Sequence, residues 1–255
     1  MNINGILGLL LMWLFLLLCC GFENIGAFIN IPSVQLVFAG TLAGTFASFP
    51  MKILAQMPSI IVKAFTTDKT DHISTIKLLV EFAEKARKEG ILALEGPASK
   101  VSDEFLKKGL QLAVDGTEPD LIRDILETDI ANIEERHLVV VDVWNYTATL
   151  APSIGMMGTV IGLVLMLGNL TDISSVGPNM AIALITTFYG SIVANCVCTP
   201  IANMLGKKNA EESLSKNLMV EGIMSIQAGD NPRIVEQKLA AYISPINRVK
   251  VIKVR

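Results

Sequence analysis

Four long stretches of the chain contain no aspartate, glutamate, lysine, arginine or histidine, and this restricts what the chain can fold into. They cover residues 3–20, 33–51, 150–170 and 178–205. An uncharged apolar run of about 18 residues or more is long enough to cross a bilayer as a helix. With 51% hydrophobic residues and a mean hydropathy of +0.52, the chain is also too apolar for an ordinary soluble domain. We therefore predict an all-α polytopic membrane protein with four transmembrane helices.

The basic residues between these stretches predict the topology. Loops 22–32 and 171–177 contain neither lysine nor arginine, whereas the basic residues that follow the second and fourth stretches include Lys52, Lys63, Lys69, Lys77, Lys85, Arg87, Lys88, Lys207, Lys208 and Lys216. Lysine and arginine are enriched on the cytoplasmic side of membranes, so both termini are expected there. The predicted domains are transmembrane helices 1 and 2 (1–51), a cytoplasmic helical domain (52–149), transmembrane helices 3 and 4 (150–205) and a cytoplasmic helical tail (206–255).

The cytoplasmic parts show helical patterns. Apolar residues recur at helical spacing in residues 75–88, and a second helix is expected over 102–115. A break is expected at Glu118, because the residue before a proline is pushed out of the helical region. Further helices are predicted over residues 121–135, 209–227 and 233–242, so the soluble parts should also be helical.

Several functional classes find no support in the sequence. The net charge of −3 argues against nucleic acid as a partner. The cysteines stand as Cys19-Cys20 and Cys196-x-Cys198, spacings that fit neither a zinc knuckle nor a redox pair. The chain carries no nucleotide-binding loop, metal-binding constellation or hydrolase arrangement. We therefore expect no enzyme activity, no resident metal and no cofactor.

The third and fourth stretches contain threonines, which carry a hydroxyl, and prolines, which perturb a helix. Thr159, Thr186 and Thr187 could supply hydroxyl oxygens to a dehydrated cation, although threonine in a membrane helix usually bonds the carbonyl one turn back. Helical spacing places Thr186 and Thr187 about 100° apart, so they are not expected to face one gap equally. Pro152 and Pro200 are either a helix start or kink, or hinges that couple the membrane part to the cytoplasmic part.

Four segments resemble the flagellar stator protein MotA and its sodium-driven relative PomA, within the MotA/TolQ/ExbB family. They are PSIGMMGTVIGLV (152–164), ALITTFYG (183–190), ARKEGILALE (86–95) and GIMSIQAGDNPR (222–233). The resemblance covers almost the whole chain. TolQ and ExbB share the last two membrane helices but lack the first hairpin, so four spans favour MotA.

The resemblance implies a role that fits the absence of charged residues in the membrane stretches. MotA-like chains form a ring of five around two MotB-like one-span chains, each of which brings the ion-binding aspartate. Ion passage turns the ring, and the cytoplasmic domains push on the rotor protein FliG. The resemblance therefore places the chain in the inner membrane at the flagellar basal body. By the same likeness Arg87 and Glu95 meet the rotor, with Lys88 as a further candidate. The chain departs from the family at Gly96 and Thr149, where acids are usual.

The sequence leaves open the identity of the transported ion and two competing functions. Thr187 stands where both proton-driven and sodium-driven members of the family carry threonine, whereas Thr159 and Thr186 match the sodium-driven members. A sodium ion also needs several oxygen ligands. Sodium is therefore expected, with protons as the alternative. The alternatives to a stator subunit are an ExbB/TolQ-type energiser of envelope processes and a non-transporting membrane scaffold.

Overall fold

The computed structural model describes residues 3–66, 71–169, 173–245 and 248. These residues form helices joined by short turns, and no strand occurs among them. The all-α prediction is therefore confirmed. The chain divides into two compact units, one made of Met1–Thr67 and His137–Lys208 and the other of Asp68–Arg136 and Asn209–Arg255. The domain boundaries given above stay a prediction.

The first unit contains the apolar helices. Its N-terminal part consists of α1 (Ile3–Cys20), a 3-10 helix (Phe22–Phe28), α2 (Ile31–Val34), a π-helical segment (Gln35–Ala39), α3 (Gly40–Ser48), α4 (Met51–Leu54) and α5 (Met57–Phe65). Asn30 begins α2, because its side-chain oxygen accepts the backbone N–H of Ser33 at 3.0 Å and satisfies a donor that the first helical turn leaves free.

Three helices of the described part are long and apolar enough to cross a membrane. They are Ile31–Ser48, α9 (Pro119–Gly168) and the run Val176–Gln227. The first apolar stretch forms a helix whose described span Gly5–Cys20 bends by 89° into the following segment Phe22–Phe28. The number of spans is four if this bent pair counts as one, so the four-span topology stays a prediction.

The fourth apolar stretch continues without a turn into the tail. It begins with α10 (Ile173–Ile192), passes through a π-helical segment (Val193–Cys198) and enters α11 (Thr199–Gln227). In the same way, α9 runs for 50 residues and includes Pro152. The sequence patterns predict separate helices over 121–135 and 150–170. They merge because residues 136–149 contain neither glycine nor proline to end a helix.

The second unit packs around one apolar core. It contains α6 (His72–Glu89), a 3-10 helix (Ile91–Leu94), α7 (Glu95–Ser99), α8 (Glu104–Val114), the adjoining parts of α9 and α11, and α12 (Pro232–Ala240). The fully buried side chains of this core include Ile76, Leu79, Leu94, Leu106, Leu110, Ile122, Leu126, Leu218, Ile223 and Leu239. The expected break before Pro119 is present, since α9 begins there.

An ion pair joins the turn before α12 to that helix. Lys238 donates to the carboxylate of Asp230 at 2.8 Å and lies 3.6 Å from Glu221. The hydrogen bond from Lys238 lowers the pKa of Asp230, and the same bond raises the pKa of Lys238. The lowered pKa means that the stabilisation is present above the unfolded-state value of about 3.9 and is lost as pH falls through the folded value.

We therefore expect Asp230→Asn to lower the stability of the detergent-solubilised chain at neutral pH by about 0.5–1 kcal/mol, the usual size for a partly exposed pair. The difference from wild type should shrink as the pH falls below about 3.9 and through the lower folded-state pKa of Asp230, because Asp230 then becomes neutral in wild type as well. Asp124→Asn, which removes a charge from an exposed position of α9, is the control. A stability difference that stays constant across this range would contradict the prediction.

Candidate functional site

Glycines bring the backbones of α9 and α10 into close approach. A Cβ atom added at Gly155 would lie 2.8 Å from the backbone oxygen of Thr186, and one at Gly190 would lie 2.6 Å from that of Ala151. A Cβ at Gly162 would lie 2.7 Å from the backbone nitrogen of Ala183. Such distances leave no room for a side chain. The glycine pattern of the third stretch therefore reflects tight packing against the fourth, as small residues allow in membrane helices.

Two of the three predicted threonines meet across this interface. The Thr159 hydroxyl lies within hydrogen-bond distance of the Thr187 hydroxyl and is 3.0 Å from the carbonyl oxygen of Ala183. Thr159 is half-buried and Thr187 is exposed. A hydroxyl has one proton and two lone pairs. If Thr159 donates to Ala183 and Thr187 donates to Thr159, both lone pairs of Thr187 stay available to a cation.

Thr186 has a different environment. It is fully buried, and its hydroxyl donates within α10 to the carbonyl oxygens of Ala183 at 3.0 Å and Ile182 at 3.1 Å. A Cβ at Gly158 would come within 2.6 Å of the Thr186 side chain. Thr186 thus fills the space that Gly158 leaves, while the neighbouring Thr187 faces outwards.

The surface around the Thr159–Thr187 pair is apolar and uncovered. Met156, Met157, Val160 and Ile161 of α9 are exposed, and so are Met180 and Leu184 of α10. The four uncharged stretches supply no carboxylate to this pair. In the part of the chain that the structure describes, no three His, Cys, Asp or Glu side chains cluster as metal ligands would. The chain therefore offers neutral oxygen ligands beside an open apolar face.

The two prolines proposed as hinges occupy different places. Pro152 lies inside α9 next to the close approach of Gly190, whose added Cβ would be 3.1 Å from the Pro152 Cα. Pro200 is the second residue of α11, directly after the π-helical segment. Proline leaves a carbonyl of its helix without a backbone donor, and a hinge role for either residue stays a prediction.

Polar contacts between α3 and α9 were not predicted from the sequence. The hydroxyls of Thr45 and Thr147 lie 3.2 Å apart, and Ser48 donates to the Tyr146 hydroxyl at 2.7 Å. The spacing of Thr41, Thr45 and Ser48 along one helical face was the available signal. In addition, the Tyr189 hydroxyl donates to the carbonyl oxygen of Phe28 and so ties α10 to the 3-10 helix after α1.

The predicted rotor-facing residues all lie on the surface of the second unit. Arg87 and Lys88 are exposed in the last turn of α6, and Glu95 is exposed at the first position of α7. Arg87 and Lys88 line a shallow hollow with Glu84 and with residues Asn231, Pro232 and Arg233 at the start of α12. Two segments of the family resemblance, 86–95 and 222–233, are thus neighbours in space.

Comparison with known proteins identifies the family. Residues 97–217 match the model of the MotA/TolQ/ExbB proton channel family. The chain is 43% identical to motility protein A of Borreliella burgdorferi over 225 residues, which are 88% of this chain and 86% of the relative. The chain belongs to the MotA family. It is also 38% identical to the chemotaxis protein PomA of Vibrio alginolyticus over 221 residues, 87% of each chain.

A solved structure extends the likeness to MotA from sequence to fold. The flagellar MotAB stator complex from Bacillus subtilis contains a chain that matches with a TM-score of 0.87 and 31% identity, over 98% of both chains. The resemblance to MotA and PomA predicted from four segments is therefore confirmed. Because these relatives are motility proteins, the ExbB/TolQ-type alternative is not favoured.

Proposed function

We propose that this chain is the MotA-type subunit of a flagellar stator, in which ion flow through the membrane drives torque on the rotor. The observation that carries the proposal is the match to motility proteins over almost nine-tenths of the chain. The geometry of α9 and α10 agrees with it, since two threonine hydroxyls meet beside an open face without any carboxylate of their own.

The missing carboxylate requires a partner. We propose a MotB-like one-span protein that places an aspartate beside Thr187, within a ring of this chain that is a pentamer. The exposed methionine, valine, isoleucine and leucine side chains around the threonine pair support this assembly. Apolar side chains there can pack against another membrane helix, whereas a soluble protein would bury them.

The proposed location is the inner membrane at the flagellar basal body. We propose that both termini and residues 52–149 lie in the cytoplasm, because the basic residues follow the second and fourth apolar stretches. In this orientation the second unit reaches the rotor protein FliG, and the loops after α1 and α9 face outwards.

We propose sodium as the transported ion, with protons as the alternative. Thr159 and Thr187 supply two adjacent hydroxyls, and a sodium ion requires several oxygens where a proton requires only a carboxylate. The 38% identity to PomA of Vibrio alginolyticus supports the same choice. We expect Thr159→Ala to lower swimming speed most at low external sodium. Swimming at wild-type speed with unchanged sodium dependence would contradict sodium as the ion, and Thr159→Ser, which keeps the hydroxyl, is the control.

Charge reversal at the second unit tests the proposed rotor contact. We expect Arg87→Glu and Glu95→Lys each to reduce swimming, because each reverses a charge that is proposed to contact the rotor. Both side chains are exposed and have no buried structural role. Protein level and membrane insertion should stay normal, since surface charges contribute little to stability. A compensating charge reversal in FliG should restore part of the speed. Glu104→Lys, which reverses an exposed charge at the start of α8, serves as the matched control.

Deletion of the gene tests the proposed function directly. In a strain without other stator genes, deletion should give cells that assemble flagella but do not swim, and the intact gene should restore swimming. A membrane scaffold predicts loss of assembly or no motility phenotype. An envelope energiser predicts swimming cells with defects in outer-membrane uptake, so either of these outcomes would reject the stator proposal.

A further inference from the structure

The exposed face of the fourth apolar stretch changes its character at Thr187. N-terminal to this residue, the side chains of Met180 and Leu184 have exposed fractions of 50% and 61%. From residue 187 to residue 203, all positions are described, and the four exposed ones are Thr187, Ser191, Asn195 and Asn203. Every side chain that this part of the helix leaves uncovered is therefore polar and uncharged.

These residues recur at regular spacing along the helix. Thr187, Ser191, Asn195, Thr199 and Asn203 are spaced four apart, and Thr199 is half-buried. A step of four residues turns an α-helix by about 40°, so the four steps of this row would turn about 160° around the axis of a regular α-helix. The π-helical segment Val193–Cys198 lies in the middle of the row, and its wider turns reduce this rotation there. We call this row the polar ladder; it extends for roughly 24 Å at 1.5 Å per residue.

Asn195 is the residue of the polar ladder whose side-chain hydrogen-bonding groups cannot all be satisfied by its own helix. Serine and threonine in a membrane helix can donate to the carbonyl one turn back and so remain compatible with lipid. An asparagine side chain has two N–H donors and a carbonyl oxygen. The Asn195 amide donates to the Ser191 carbonyl oxygen at 3.1 Å, which uses one donor and leaves the acceptor side open. Exposing that amide to hydrocarbon would cost several kcal/mol, so this face requires water, an ion or a protein partner.

The polar ladder begins at the proposed ion site and runs towards α11. Thr187 is the residue whose hydroxyl meets Thr159. The other end, Asn203, lies four residues before Lys207 and five before Lys208, the first basic residues after the fourth stretch. In the proposed orientation, the row therefore leads from the middle of the membrane to the cytoplasm. The apolar face N-terminal to Thr187 excludes water.

We infer that the polar ladder is the route by which the cation leaves the site at Thr187 and regains water on the cytoplasmic side. Asn195 contacts the ion on this route, since its side-chain carbonyl oxygen replaces a water ligand of a monovalent cation between Thr187 and bulk water. This inference rests on the proposed stator function and adds the release half of the ion pathway to it. No covalent step is involved, since the ion exchanges oxygen ligands only.

The test compares Asn195→Leu with Asn195→Ser in the full motor, each expressed in the deletion strain. Slow ion release limits rotation when steps are frequent, whereas stall torque depends on the free energy per ion. Asn195→Leu should therefore lower the speed of a lightly loaded motor about tenfold, the effect of losing one contact to a charged group. Stall torque should stay near wild type, and Asn195→Ser, which keeps an oxygen, should retain most of the speed.

Asn132→Leu is the matched control, because Asn132 is also exposed and its amide makes the same type of bond, to the Thr128 carbonyl oxygen at 2.9 Å. Wild-type speed of Asn195→Leu at every load would overturn the inference. A parallel fall of speed, stall torque and co-purified partner would also overturn it, since Asn195 would then be a subunit contact. Failure of the wild-type gene to restore swimming would instead reject the stator proposal itself.

Discussion

Replacing Gly155 or Gly190 by alanine is expected to abolish swimming. The added methyl group would stand 2.8 Å and 2.6 Å, respectively, from a backbone oxygen of the facing helix. A backbone atom cannot move aside as the end of a flexible side chain can, so α9 and α10 must separate or tilt. Overpacking of this kind typically costs about 1–3 kcal/mol, and the shift also separates Thr159 from Thr187. Swimming speed and the amount of co-purified partner measure the effect.

The first apolar stretch provides a matched control. Gly8 is also a glycine in an apolar helix, and a Cβ added there would meet no atom within 4 Å. Gly8→Ala should therefore swim at nearly wild-type speed. If Gly155→Ala and Gly190→Ala swim as well as Gly8→Ala, close approach of the two helices is not required for function.

Thr187→Val is expected to stop ion-driven rotation while leaving the protein folded. Valine keeps the branched shape of threonine but removes the hydroxyl that meets Thr159 and faces outwards. A hydrogen bond or oxygen contact to a charged group contributes about 1.5–3 kcal/mol, which corresponds to roughly a 10- to 100-fold loss of ion binding. Swimming speed as a function of ion concentration measures this loss, and Thr187→Ser should retain most of the activity.

The adjacent threonine separates this effect from packing. The Thr186 hydroxyl is buried and donates to carbonyl oxygens of its own helix, so Thr186→Val removes a local bond without removing an oxygen from the exposed face. We expect a small loss of stability and a small loss of speed. Equal loss of rotation in Thr186→Val and Thr187→Val, at equal protein levels, would contradict the assignment of Thr187 as the cation contact.

Much of the fold follows from local patterns. The apolar residues of 75–88 predict most of α6 (His72–Glu89), and the Glu118-Pro119 pair predicts where α9 begins. The charge-free stretches predict the apolar helices. These features depend on the periodicity and backbone chemistry of neighbouring residues, which a single sequence displays directly.

Other features of the fold and of the site are not visible in local sequence patterns. The merging of two predicted helices into α9 depends on a segment that has neither a strong helical pattern nor a helix breaker. The π-helical segments follow from a shifted hydrogen-bond pattern, which composition does not encode. Sequence spacing also predicts that Thr186 and Thr187 diverge, but only the position of Gly158 on the facing helix determines that Thr186 is the buried one. The Thr45–Thr147 contact joins residues 102 apart in the chain.

The dependence of ion flow on a carboxylate from another chain can be measured in vesicles. The chain should be purified alone, with its one-span partner, and with a partner whose membrane aspartate is replaced by asparagine, and cation flux should be recorded for all three preparations at equal protein. We predict flux for the complex with the intact partner only. Cation flux through the chain alone, or undiminished flux with the asparagine variant, would contradict a borrowed carboxylate as the ion carrier.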